Sequence, residues 1–155
     1  MTRPMTGVRF ITLEGGEGAG KSTQVRRLAA ALEATGVTVM ATREPGGSPA
    51  AEKIRGILLD PAARLDAPTE ALLHFAARAD HVTTRIAPAL RRGEWVISDR
   101  FADSTRAYQG YGLGLDLSVI DTLYDIALGD FGPDLTLVLD LPVARGMERI
   151  GKREG

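Results

Sequence analysis

The chain has 155 residues, 19 Lys and Arg against 20 Asp and Glu, a net charge of −1 and no cysteine. That length suits one domain, residues 1–155, able to bury a core, while the near-neutral balance excludes a protein that grips a nucleic acid polymer by charge. Without thiols there are no disulfides, Cys-ligated zinc or iron–sulfur clusters, and with no apolar signal core or bilayer-length stretch the expectation is a cytoplasmic protein without a membrane partner.

Val8 to Leu13 is apolar and β-branched and reads as the first strand. It runs into Gly15-Gly16-Glu17-Gly18-Ala19-Gly20-Lys21-Ser22, which completes the G-x-x-x-x-G-K-[ST] phosphate-binding pattern. A chance match in a chain of this size has a probability of roughly half a percent. Glycines here let backbone N–H groups point inward at a polyphosphate. Lys21 would reach the β and γ phosphates, and Ser22 would ligate Mg²⁺, which makes ATP with Mg²⁺ the expected donor. Gly15, Gly16, Gly18, Ala19, Gly20, Lys21, Ser22 and Thr23 are the expected phosphate cradle. Glu17 does not belong inside it, since a carboxylate about 4 Å from a phosphate charge costs roughly 4 kcal/mol at an effective dielectric near 20. It faces outward, either toward an acceptor hydroxyl such as a sugar's or simply into solvent.

Gln24 to Leu32 reads as the first helix, stopped at Gly36, and Val37 to Ala41 as the second strand. Arg43-Glu44-Pro45-Gly46-Gly47 follows, a stiff turn in which Arg43 offers a planar fork to phosphate oxygens or to solvent. Ser48 and Pro49 then open a helix that runs to about Leu59. From Thr69 to Arg92 the spacing of Leu72, Leu73, Phe75, Ala76, Ala79, Val82 and Ile86 predicts a long helix, kinked near its end by Pro88. On it Phe75 and Arg78 share a face, either as a base-stacking ring with a hydrogen-bonding neighbour or as a core ring beside a rim arginine. His74 and His81 have no metal-ligand partners in sequence and read as incidental.

Glu94 to Ser98 is the third strand, and Asp99 and Arg100 sit at its C-terminal end, the edge at which open α/β sheets bind ligands. Asp99 can hold Mg²⁺, directly or through a water, and Arg100 can clamp a second phosphate; the alternative is a surface ion pair. Ser104 to Gly110 reads as a polar and aromatic loop lining a pocket, although its composition also allows a helical turn. Asp116 caps a helix with Ile120, Leu123, Tyr124 and Ala127 on one face and Gly129 at its end. Leu135 to Leu139 is the fourth strand, apolar enough to be buried on both faces. Pro142 opens a last helix, followed by the charged stretch Gly151 to Gly155. Such alternation predicts an α/β fold, a three-layer sandwich of the P-loop NTPase type with a central parallel sheet.

Together these motifs resemble the thymidylate kinases, a nucleoside monophosphate kinase-like family. The likeness rests on E-G-x-E-G-A-G-K-S, Arg-Glu-Pro-Gly-Gly after the second strand, Phe-Ala-Ala-Arg on the long helix, and Asp-Arg followed by Ser-Thr-x-x-Tyr-Gln-Gly. The resemblance implies transfer of the ATP γ-phosphoryl group to dTMP. It implies that Arg43 and Arg100 bind the acceptor phosphate, Phe75 stacks on thymine and Arg78 bonds a base carbonyl. It further places Thr105 near the base, Tyr108 against the 2′ position with Gln109 beside it, and Glu17 at the acceptor sugar.

Gly18 stands where part of the family carries a catalytic arginine, so the resemblance is to the bacterial kind, whose arginines come from a lid after the fourth strand. Arg149, Lys152 and Arg153 would begin that lid, with Arg149 and Arg153 joining Lys21, Asp99 and Arg100 as catalytic residues; taken alone, the three are a solvated charged tail. Relatives continue to further helices and a fifth strand, so the expectation is a chain that stops within the lid. Family resemblance also implies a homodimer packed through long helices. Two other readings remain open at this point, another P-loop small-molecule kinase and a non-catalytic nucleotide-binding module, although no N-K-x-D guanine motif is present.

Overall fold

Alternating faces of four short strands set the frame. The computed structural model describes Gly7 and residues 9–152; Val8 and Arg153, both named above, lie outside the described residues. The strands are β1 (Phe10–Glu14), β2 (Val39–Arg43), β3 (Trp95–Asp99) and β4 (Leu135–Val138). They form one sheet in the order β2-β3-β1-β4, and every neighbouring pair is parallel. All five residues of β1 are buried. Phe10 and Val96 face one side, where they pack with Val82, Ile86, Ala89 and Phe101; Ile11, Leu13 and Ile97 face the other, against Val25 and Ala29. That two-sided burial is what a parallel sheet between helical layers requires.

The helices follow the capping chemistry. α1 (Lys21–Glu33) starts directly from the glycine loop and buries Lys21, Val25 and Ala29, one residue per turn. α2 (Pro49–Leu58) is capped by Ser48, whose Oγ accepts the Ala51 N–H at 3.4 Å. α3 (Ala67–His81) begins two residues before the expected Thr69, because the Asp66 carboxylate accepts the Thr69 N–H at 2.9 Å and Pro68 fits the first turn. The predicted long helix then widens into a π segment, Val82–Ile86, before α4 (Ala87–Arg91). The Ala87 N–H reaches back five residues to the Val82 carbonyl. This wider turn falls just ahead of Pro88, which lacks an N–H and now sits in the first turn of α4.

Ser104–Gly110 is helical rather than a loop, and it still lines a cavity through Ser104, Tyr108 and Gln109. α5 (Ala102–Thr105) continues into a second π segment, Arg106–Gly112. α6 (Leu117–Leu128) is capped by Asp116 and ended by Gly129, as its sequence predicts. α7 (Val143–Gly151) follows Pro142.

One expectation fails. β4 is not buried on both faces: Leu135 and Leu137 are 41 % and 39 % exposed and Val138 is 70 % exposed. It lies at the end of the described sheet, paired only to β1. An apolar run carries the same signal whether or not neighbours cover it, so the sequence could not distinguish the two. No described helix is long and apolar enough to cross a membrane.

Register brings the chemistry together. Leu13 and Arg43 both lie level with Asp99, so the glycine loop, the Arg43 turn and the Asp99–Arg100 pair leave the sheet at one carboxyl edge.

Candidate active site

At that edge the loop wraps the N-terminus of α1, with Gly15, Gly18 and Gly20 all at positive φ. Lys21 is 7 % exposed, and its Nζ donates to the Gly15 and Gly16 carbonyls at 2.9 Å each. Burial pushes its ammonium down from the ordinary lysine range, and the Arg100 charge adds to that. Lys21, Ser22, Asp99, Arg100 and Glu17 line a polar pocket of about 150 Å³ at the helix N-terminus. Burial pushes the Asp99 carboxyl up, with Lys21 and Arg100 opposing. A hydroxyl and a carboxylate at one small site are hard oxygen donors that suit Mg²⁺. No group of three or more His, Cys, Asp or Glu that could hold a metal ion lies among the described residues.

Arg100 is the one described non-glycine residue at positive φ, +70°. Its guanidinium spans the site. One nitrogen donates to Ser104 Oγ at 3.1 Å and Gly15 O at 3.3 Å, the other to Glu17 Oε1 at 2.7 Å and Tyr108 OH at 3.3 Å. Behind it Glu14, at the end of β1, accepts the Phe101 N–H at 2.7 Å and the Ser104 hydroxyl at 2.5 Å. Glu14 thereby ties the phosphate-loop strand to α5. Burial raises its carboxyl above the usual range, against both hydrogen bonds.

A second cavity, of about 250 Å³, opens beside the loop, walled by Glu17, Arg78, Arg100, Tyr108, Gln109 and His74 among others. Gln109 is steered by Glu70, whose Oε2 accepts its amide at 2.8 Å. Phe75 and Thr105, both expected at the base, are 3 % and 1 % exposed and do not wall this cavity; they reach it only through Arg78. The Phe75 ring sits 4.9 Å from the Arg78 guanidinium, and Thr105 Oγ1 accepts from it at 3.2 Å. Arg78 itself is 2 % exposed and pairs with Glu44 at 2.6 Å. Removing either partner of such a buried pair typically costs roughly 3–5 kcal/mol.

Arg43 is half-exposed and held by Glu52 at 2.8 and 3.3 Å, a surface pair worth about 0–1 kcal/mol and therefore easily exchanged for another anion. It lines a different cavity of about 580 Å³, which also reaches Ser22 and Asp99. Arg149, on α7, donates to the Gly18 carbonyl at 3.4 Å, so one of the expected lid arginines does meet the loop. Lys152 follows the end of α7, its N–H donating to the Glu148 carbonyl at 3.2 Å, and Arg153 lies outside the described residues.

Sequence reasoning missed Glu14, Glu44, Glu52 and Ser104, and it set both histidines aside. His81 is fully buried and bonded to Glu44 and Thr42. His74 lines the cavity, and burial holds its imidazole down at about 4, with the Arg78 charge contributing. Two signals were available: His81 is one helical turn from Arg78, and Glu14 is a lone carboxylate closing an apolar strand.

The His74 shift has a consequence for stability. Its folded pKa lies below the unfolded value near 6.5, so the unfolded chain binds more protons between those limits. Stability from this group is complete above about pH 6.5 and declines as pH falls toward 4, by at most about 3 kcal/mol. Urea midpoints measured from pH 7.5 to 4.5 are expected to fall less steeply in His74→Gln than in wild type; parallel curves would refute the assignment.

A family model described as thymidylate kinase matches residues 13–155. A curated thymidylate kinase of Rhodopseudomonas palustris (strain TIE-1) is 56 % identical over 149 residues, covering 95 % of this chain and 65 % of the relative. One from Alcanivorax borkumensis is 57 % identical over 146 residues, covering 94 % of this chain and 70 % of the relative. A crystal structure of thymidylate kinase from Ehrlichia chaffeensis superposes with a TM-score of 0.82 at 44 % identity, over 95 % of this chain and 84 % of that one. The chain thus spans about two thirds of the length of the curated relatives it matches.

Proposed function

Because the chain belongs to the thymidylate kinase family, we propose that the protein transfers the γ-phosphoryl group of ATP to dTMP, giving dTDP and ADP. The observation that carries this reading is the cavity beside the phosphate loop, on which Glu17, Arg78, Arg100, Tyr108 and Gln109 converge with the polar and aromatic groups that a base and sugar need.

The acceptor phosphate is already anionic, so no general base is needed. The work is positioning and charge neutralisation. Lys21 exchanges its two carbonyl partners for the β and γ phosphates, and the loop N–H groups hold the rest of the chain of phosphates. Mg²⁺, held by Ser22 and by Asp99 directly or through a water, would neutralise charge on the donor phosphates. Arg100 and Arg43 receive the acceptor phosphate, Arg43 by releasing Glu52, and so offset repulsion between the substrates. Arg149 approaches from α7 and, with Arg153, supplies positive charge to the transferring group. Arg78 meets the base edge, backed by the Phe75 ring 4.9 Å from its guanidinium and by the buried Thr105 hydroxyl that accepts from it at 3.2 Å.

Tyr108 lies over Arg100, 5.1 Å from its guanidinium, and is 41 % exposed toward the cavity, in keeping with a ring that crowds the 2′ position. Tyr108→Ala is expected to narrow the preference for dTMP over its ribo counterpart, read as a ratio of kcat/KM values. An unchanged ratio would refute that role.

The same reading includes residues 1–155 acting as one kinase domain, a cytoplasmic location near the ATP supply, and a homodimer. Exposed Leu72 on α3 and Val119 and Ile126 on α6 support the last, since those helices pack together and leave apolar side chains outward. The test is an ADP-release assay of the full-length protein with MgATP and a panel of nucleoside monophosphates. Turnover favouring dTMP supports the proposal; turnover favouring another acceptor, or none, overturns it.

A further inference from the structure

Behind the Arg78 guanidinium runs a buried chain of polar side chains whose farther members, Glu44, His81 and Thr42, the proposed reaction does not use. Three of the five N–H groups of Arg78 are taken: Nε donates to Glu44 Oε2 at 2.6 Å, and the two terminal nitrogens donate to Thr105 Oγ1 and Phe101 O at 3.2 Å each. The remaining donors belong to a residue that walls the cavity. The second oxygen of Glu44 lies 3.1 Å from His81 Nδ1, and His81 Nε2 lies 2.8 Å from Thr42 Oγ1. A carboxylate only accepts, so Nδ1 carries the proton toward Glu44, while Nε2 and the Thr42 hydroxyl bond to each other. Glu44 and His81 are 5 % and 0 % exposed, and no buried side-chain nitrogen or oxygen among the described residues lacks a partner. Gly47 closes over the ring: at φ +88°, a Cβ there would lie 2.3 Å from His81 Nε2. The Glu44 N–H also donates to the Asp99 carbonyl at 3.0 Å, which fixes the carboxylate to the end of β3.

We propose that Glu44 and His81 are positioning residues that hold the Arg78 guanidinium edge toward the acceptor base, with Thr42 anchoring the far end of the chain. The assignment rests on the thymidylate reading above. Arg78 offers only donors, so a fixed guanidinium accepts a carbonyl edge and rejects an amino edge. Glu44 follows Arg43 directly, so the residue that orients base recognition shares a backbone turn with the one expected at the acceptor phosphate. Base and phosphate sites are therefore parts of one rigid block rather than independent clamps.

The test is calorimetric binding of dTMP and of dCMP, which carries a 4-amino group in place of the 4-carbonyl and lacks the 5-methyl group, to full-length wild type, Glu44→Gln and His81→Gln, with MgATP as control. Because the 5-methyl difference is common to all three proteins, the change in preference between them reports the position-4 contact. Glu44→Gln keeps the shape but removes the charge that fixes Arg78. The expected result is a fall of about tenfold in the preference for dTMP over dCMP, with MgATP affinity unchanged. His81→Gln should shift the preference the same way by a smaller factor. It leaves the Arg78–Glu44 pair intact, and so decides the matter alone if Glu44→Gln fails to fold. Equal weakening of both monophosphates, or an unchanged preference, would overturn the positioning role and leave these residues structural. A wild-type protein without preference for dTMP would overturn the thymidylate reading, and the positioning assignment with it.

Discussion

Lys21→Ala is expected to lower kcat of the full-length protein by at least about 10³-fold, with the fold preserved. Among the described residues the buried ammonium donates to the loop carbonyls of Gly15 and Gly16, a placement that keeps a positive charge over the phosphate pocket. No described carboxylate forms a direct ion pair with it, so its loss leaves no stranded charge, and the two carbonyls can take water from the adjoining pocket. Steady-state kinetics and circular dichroism on the same preparation separate the outcomes. A folded variant with wild-type kcat would remove Lys21 from the phosphate loop's chemistry.

Gly18→Ala is expected to undock α7. The residue has φ +73°, a conformation that costs a non-glycine roughly 1–2 kcal/mol. More decisive is the neighbour: a Cβ at residue 18 would lie 2.2 Å from the Gly146 carbonyl oxygen, and one at Gly146 would lie 2.3 Å from Glu17 O. Backbone meets backbone here, and neither side can rotate away. The helix must shift, and the 3.4 Å contact of Arg149 with Gly18 O goes with it. Faster amide exchange across Val143–Gly151 is expected, together with a kcat reduced about tenfold, the size of one lost charge-assisted contact. Wild-type exchange rates in α7 would sink the docking argument. The same geometry gives a physical reason why an arginine in this loop position and α7 in its present place exclude one another: the arginine would begin with that same Cβ.

Much of this was legible from residue order because its causes are local. The glycines, Lys21 and Ser22 are consecutive, so their spacing alone specifies a loop whose N–H groups turn inward. Ser48, Asp116 and Gly129 announce helix ends through bonds that span two to four residues. The apolar periods located all four strands to within two residues. Where a run's meaning depended on what covers it, the same reading failed, as at β4, whose apolar residues are not covered among the described residues. The kink predicted at Pro88 falls beside the π segment, which residue spacing did not announce and whose Val82 and Ile86 pack in the core.

The partners of Arg78 lie 34, 27 and 23 residues away, those of Glu14 87 and 90. No spacing rule reaches that far, because these pairs exist only once the β1–β3–β2 register has set Leu13, Asp99 and Arg43 level at one edge. By itself the sequence determined the phosphate loop, the alternation of strands and helices and the family, since each is written in short-range dihedral preference and periodicity. Only the tertiary structure decided which carboxylates and histidines stand behind the arginines, because desolvation and hydrogen bonding act between residues that folding, not the chain, makes neighbours.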